Sequence, residues 1–135
     1  MYDSLGEYNQ AKEHHEKALI IYKTIFGEDH ADVATSYNNL ASVYDSLGEY
    51  NQGKELNEKA VIIYKTIFCE DHAHVATSYN NLASVYDTLW EYNQAKELQE
   101  KALTIGEKIF GEDHAHVARS YNNLASVYTH LGEYN

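Results

Sequence analysis

The chain is predicted to be all-α, a right-handed solenoid of stacked antiparallel helix hairpins. Three observations predict this. The sequence repeats every 42 residues: Tyr8, Tyr50, Tyr92 and Tyr134 hold one place in the repeat, Leu5, Leu47, Leu89 and Leu131 a second, and Phe26, Phe68 and Phe110 a third. Within a repeat the apolar residues recur at steps of 3, 4 and 1, the stripe of an amphipathic helix. Each repeat is punctuated twice, at a glycine such as Gly48 and at a closing corner that reads Gly-Glu-Asp-His or, once, Cys69-Glu70-Asp71-His72.

Residues 31–72 differ from residues 73–114 at 11 of 42 positions, so 31 match. Self-similarity at such a period belongs to stacked units, each of which buries its apolar face against a neighbour. The chain of 135 residues is read as a single array, with a partial repeat over 1–30, full repeats over 31–72 and 73–114, and a partial repeat over 115–135.

The elements follow in order. A stub of helix opens the chain and a first complete helix is expected over 8–26. Helix A of the next repeat is placed near 31–46, on the stripe Val33, Tyr37, Leu40, Ala41, Tyr44 and Leu47. Gly48 breaks the stripe, and helix B follows near 50–67 on Tyr50, Gly53, Leu56, Ala60, Ile63 and Ile67. Small residues are needed where antiparallel helices cross, and Ala41, Gly53 and Ala60 supply them, as do Ala11 and Ala95. The corner glycine suits a left-handed helix end, and its acidic pair suits the positive start of the next helix. The pattern repeats, with a helix from Tyr92 to Phe110 and a last one from Val117 to Tyr128; Gly132 is expected in a turn like Gly48. Cys69 is read as a drifted glycine, and Trp90 as drift at the turn position of Gly48. Gly106 replaces Tyr22 and Tyr64 inside a helix, so the helix 92–110 is expected to be the softest.

Composition excludes several functions. The net charge is −11, with 10 basic against 21 acidic residues, a poor balance for nucleic acid or an anionic membrane surface. An 18-residue apolar run and an apolar N-terminal stretch are both missing, which argues against a membrane span and a signal peptide; a cytoplasmic location is expected. No nucleophile–base pair recurs and no phosphate-binding glycine loop is present, so neither enzyme activity nor a cofactor is expected. His72 and His74, and His114 and His116, form two His-x-His pairs, but successive repeat corners stand too far apart to share one ion. Capping and packing of the corners is the preferred reading, and no metal is expected.

These residues resemble the tetratricopeptide repeat. Tyr37 stands for the family's bulky aromatic, Leu40-Ala41 for its Leu-Gly and Tyr44 for its Tyr; Gly48 and Tyr50 match its turn, Gly53 and Ala60 its two alanines. The match recurs in every unit. Two departures are the missing proline after helix B and a unit of 42 residues in place of 34. The longer unit is similar to the repeats of kinesin light chain and nephrocystin-type proteins, which also carry Asn-Asn-Leu-Ala and Gly-x-Asp-His.

That resemblance implies a protein–protein interaction scaffold whose A helices line a concave groove, with Asn39, Asn81 and Asn123 gripping an extended peptide. The residues themselves agree. Between Val33 and Tyr44 helix A carries no charge, and its polar positions are amides and hydroxyls: Asn38, Asn39 and Ser42, then Asn80, Asn81 and Ser84, then Asn122 and Asn123, where the last copy adds the basic Arg119. Each amide both donates and accepts, which suits a peptide backbone. Asp45 and Asp87 with only Arg119 favour a neutral or basic ligand. The alternative reading is structural: the first complete helix lacks an A partner and the last lacks a B partner, so copies could stack head to tail through a heterologous contact, or the repeats could fold without any ligand.

Overall fold

The computed structural model describes residues 4–134. Among them are six helices and no strand: α1 (Ser4–Phe26), α2 (Ala31–Ser46), α3 (Tyr50–Ile67), α4 (Ala73–Thr88), α5 (Tyr92–Phe110) and α6 (Ala115–Tyr134). The fold is an all-α helical repeat of the solenoid class. The helices fall into two compact units, residues 1–67 and 68–135.

In the first unit α2 packs against both α1 and α3. Val33, Ala34 and Ala41 are completely buried on α2, beside Tyr37 and Leu40, and Ala60, Val61, Ile63 and Tyr64 face them from α3. Ala41, Ala60 and Gly53 are all buried, the small set expected where the two helices cross. Two tyrosine hydroxyls tie the helices together: Tyr64 shares a 2.8 Å hydrogen bond with Thr35, and Tyr44 donates to Glu16 of α1 at 3.2 Å.

In the second unit α5 lies against both α4 and α6. Val75, Ala76 and Ala83 of α4, Ala95 and Ala102 of α5 and Val117 of α6 are all completely buried. The tyrosines of α6, the last of the described helices, are open: Tyr121 is 52% exposed and Tyr128 49%, against 2% for Tyr79, which matches Tyr121 on α4.

The turn after each A helix is a left-handed helix end. Gly48 has φ +78°, its N–H bonds to the carbonyl of Asp45, and the Glu49 N–H bonds back to Tyr44 at 2.8 Å. This double bond satisfies the last carbonyls of α2 and turns the chain into α3. The second unit builds the same turn with Trp90 at φ +67°, with Glu91 donating to Tyr86.

Three expectations are corrected. The helix placed at 8–26 is already formed at Ser4, so Gly6 is helical; the stub before it falls on residues 1–3, outside the described residues. Gly132 is not a turn residue, because α6 runs through it to Tyr134. Cys69 does not act as the glycine it replaces. Gly27 and Gly111 take φ +82° after helices that end at Phe26 and Phe110, whereas Cys69 keeps a negative φ and α3 stops one position earlier, at Ile67. A side chain makes the left-handed conformation costly, so the helix terminates sooner.

Candidate functional site

The histidines of the corners begin each A helix. The Nδ1 atoms of His30, His72 and His114 each accept the backbone N–H two residues on, at 3.0 Å in all three. This is the work of an N-cap, satisfying one of the unpaired donors at a helix start. The ring is held in place by the phenylalanine four residues before it: Phe26 stacks on His30 and Phe68 on His72 at 4.1 Å between centroids, Phe110 on His114 at 4.5 Å. The capping group is therefore the imidazole, and the acidic pair before it lies at the surface, where Glu28 pairs with Lys23 at 3.0 Å. Among the described residues no group of three His, Cys, Asp or Glu side chains lies close enough to hold a metal ion. Cys69 is an exposed free thiol.

The polar face of each A helix divides in two. On α2, Thr35, Asn39, Ser42 and Ser46 are exposed, while Asn38 and Asp45 are half-buried. On α4, Thr77, Asn81, Ser84 and Thr88 are exposed, while Asn80 and Asp87 are half-buried. Neighbouring helical residues point about 100° apart, so adjacent asparagines cannot share one direction. The Oδ1 atoms of Asn38 and Asn80 are buried without a hydrogen-bond partner. On α6 the order reverses: Asn122 is exposed with Arg119, and Asn123 is half-buried.

Asp45 and Asp87 hold the same repeat position in different surroundings. Asp45 leans over Gly53, where a Cβ would strike its carboxylate. Burial there pushes its carboxyl up to about 6. Asp87 faces Ala95 in place of a glycine and instead pairs with His130 of α6 at 2.7 Å. His130 also packs on the ring of Tyr92, 5.1 Å between centroids.

The structure gathers part of the expected set. In the second unit Ser84 and Asp87 of α4 face Asn123 and Ser126 of α6 across an open cleft of about 60 Å³. Its floor is Gln99 of α5, a residue that sequence reasoning missed. Gln99 is 2% exposed and Asn57, its counterpart in the first unit, 4%. Both lie four residues after a small crossing residue and three before another, so a polar side chain on the buried side was the signal available. Asn81 is exposed on α4 but does not line this cleft, nor does Asn80.

A wider cleft of about 420 Å³ is lined by Glu70, Asp71, Glu97, Glu100 and Lys101. Some of its polar groups are engaged within the unit: Lys108 bonds Asp71 at 2.7 Å, Tyr79 donates to Glu70 at 2.7 Å, and Lys101 lies over the Tyr79 ring.

Solved structures share this architecture. BtubC (BKLC) from P. vanneervenii superposes with a TM-score of 0.87 at 28% identity, over 96% of this chain and 52% of its own. A kinesin light chain candidate of Podosopora anserina, built of nearly identical TPR-like repeats, gives 0.86 at 26% identity, over 94% of this chain and 60% of its own. The apo form of RapI gives 0.80 at 25% identity, over 96% and 45%. The chain thus spans about half the length of these proteins. No curated protein matches the sequence. The family pattern described as tetratricopeptide repeat matches residues 1–66, 46–105 and 74–135. With paired helices, a left-handed turn after α2 and α4, and that pattern matched from end to end, the chain belongs to the tetratricopeptide repeat family.

Proposed function

We propose that this chain is a non-catalytic interaction scaffold that binds an extended peptide or protein segment along its A helices. One observation carries the reading: each unit presents an uncharged row of amides and hydroxyls, Thr35, Asn39 and Ser42 on α2 and Thr77, Asn81 and Ser84 on α4, exposed beside a well-packed core. A face that only needed to stay in water would more naturally carry Lys and Glu, which are better helix formers than Asn, Ser or Thr. Asn39, Asn81 and Asn123 are assigned to the peptide backbone, with Ser42 and Ser84 on the same exposed rows; Asn38 and Asn80 lie inward of these rows, and Asn122 and Arg119 carry the exposed face of α6. The ligand is neutral or basic, since Asp45 and Asp87 lie at the C-terminal end of these faces and Arg119 is their one fixed positive charge.

No helix among the described residues is long and apolar enough to cross a membrane, and a cytoplasmic peptide binder is the home this reading assigns. A pulldown with Asn39, Asn81 and Asn123 changed to Ala tests it. Loss of partners supports the groove; unchanged recovery removes it. A peptide array in which acidic sequences bind best would remove the charge assignment alone.

A second reading is self-stacking of copies head to tail. Ile21 on α1 is 56% exposed and Tyr121 on α6 52%, whereas Ile63 and Tyr37 at the equivalent places are buried. Further repeats in a longer array would cover the same faces. Light scattering that rises in mass with concentration supports stacking, and a constant monomer mass rules it out.

A further inference from the structure

α6 rests on α5 as α2 rests on α1. Tyr128 donates to Glu100 at 3.2 Å, the bond that Tyr44 makes to Glu16, and Lys96 lies over the Tyr128 ring as Lys12 lies over that of Tyr44. The two A helices therefore share one register against the helix before them. They differ on the other side. Ala34 and Ala41 of α2 are completely buried and Tyr37 nearly so, with α3 packed on the helix. The matching Ala118, Tyr121 and Ala125 of α6 are exposed. α1 shows the complementary gap: Tyr64 of α3, bonded to Thr35 of α2, is buried together with Ile63, while the matching Tyr22 and Ile21 are exposed. Both helices are electrically balanced within a chain of net charge −11, with Lys12, Lys17 and Lys23 against Glu7, Glu13 and Glu16 on α1, and Arg119 against Glu133 on α6. Neutral helices approach each other where acidic surfaces repel.

We infer that these faces are two halves of one repeat: α6 of one copy pairs antiparallel with α1 of a second copy, in the register that α2 keeps on α3, so that a complete helix hairpin forms across two chains. The inference rests on the self-stacking reading and names its two surfaces and their alignment. Lys17 then covers the Tyr121 ring as Lys59 covers that of Tyr37, and Arg119 meets the Tyr22 hydroxyl in place of the Thr35–Tyr64 bond. Thr129 of one copy comes over Ala11 of the other as Asp45 comes over Gly53. Threonine is shorter than aspartate, which leaves room for the methyl group of Ala11. Each pair keeps one α1 and one α6 open, so the contact is heterologous and can repeat.

The test reads the alignment directly. Cys69, exposed and free, is first removed as Cys69→Ser. Ala11→Cys and Thr129→Cys are then made in separate chains of that background, because a Cβ on Gly53 lies against Asp45 and the matching pair falls within disulfide reach. Mixed in a glutathione redox buffer, the two are expected to give the mixed linked dimer, identified by mass spectrometry. Glu13→Cys, about 200° round the helix from Ala11, should not link to Thr129→Cys. Ala125→Glu lies in water in the single chain, so it should melt like the parent. On pairing it buries a charge, and it should raise the concentration needed for association by about tenfold or more. Mass that rises with concentration in light scattering, while Ala11→Cys and Thr129→Cys link no better than the Glu13→Cys control or Ala125→Glu associates like the parent, overturns this alignment and leaves self-stacking standing. A constant mass of 15.4 kDa without linkage removes both.

Discussion

Asp45 occupies the space that a side chain at Gly53 would fill. A Cβ built on Gly53 meets the Asp45 carboxylate and lies 3.2 Å from the Ala41 carbonyl oxygen. Gly53→Ala should therefore destabilise the first unit by about 1 kcal/mol. Overpacking of 1–3 kcal/mol outweighs a helix-propensity gain of about 0.5–1 kcal/mol. Urea denaturation measures it; an increase in stability would show that Asp45 moves aside freely.

The same crowding makes stability depend on pH through Asp45. Its folded carboxyl titrates near 6, above the ordinary value of about 3.9. The folded state therefore holds the proton more tightly than the unfolded chain. This favours folding below pH 4, and the advantage is lost as pH rises from about 4 to 6. Two pH units correspond to about 3 kcal/mol, but the group is only half-buried and solvent screening reduces this to about 1 kcal/mol. Asp45→Asn, neutral at every pH, should be more stable than the parent at pH 7.5 and close to it at pH 4. Paired denaturation curves at the two pH values check the sign.

Trp90 carries a left-handed conformation that Gly48 adopts without cost. With φ +67° and a side chain 66% exposed, it bears most of the 1–2 kcal/mol penalty of that conformation. Trp90→Gly should raise stability by about 1 kcal/mol, read as a higher urea midpoint. No change would mean that the indole recovers the cost through its own contacts.

Gly106 weakens α5 for a different reason. It is buried and helical, and an added Cβ would meet His116 Nδ1 at 3.4 Å and Val117 Cγ2 at 3.6 Å, ordinary contact distances. Gly106→Ala should stabilise by about 0.5–1 kcal/mol. Native-state hydrogen exchange should find α5 the least protected of the internal helices in the parent and firmer in the variant; best protection of α5 in the parent would refute this.

The imidazole caps are open to the same kind of measurement. His72→Ala should cost about 1 kcal/mol, the usual loss for a removed cap, whereas His72→Asn, which restores an acceptor but not the ring, should recover part of it. Equal losses would show that the stack on Phe68 outweighs the capping bond.

Much of this architecture was legible in the residues. The stripes on Val33, Tyr37 and Leu40 and on Ala60 and Ile63 set the helices, because burial at a 3.6-residue period leaves few alternatives. The extents of α2, α3 and α5 agree with those expected from Gly48, Tyr50 and Phe110. What was hidden depends on neighbours. Gly132 and Gly6 share the local Leu-Gly-Glu-Tyr sequence of Gly48, yet both are helical where Gly48 makes a left-handed turn. Asn38 and Asn39 look alike in a string of letters; rotation about the helix axis turns one inward and leaves the other in water. Gln99 was passed over because the cleft it lines is completed by residues of two other helices.

The Phe–His stacks have a bearing on how the units come apart. Each imidazole is bonded to the first turn of one helix and pressed against the aromatic ring at the end of the one before. Fraying at either side removes the partner that holds the other, so adjacent helices share one fate across the corner. Coupling of this nearest-neighbour kind is what turns a row of marginal hairpins into a unit that melts in a single step.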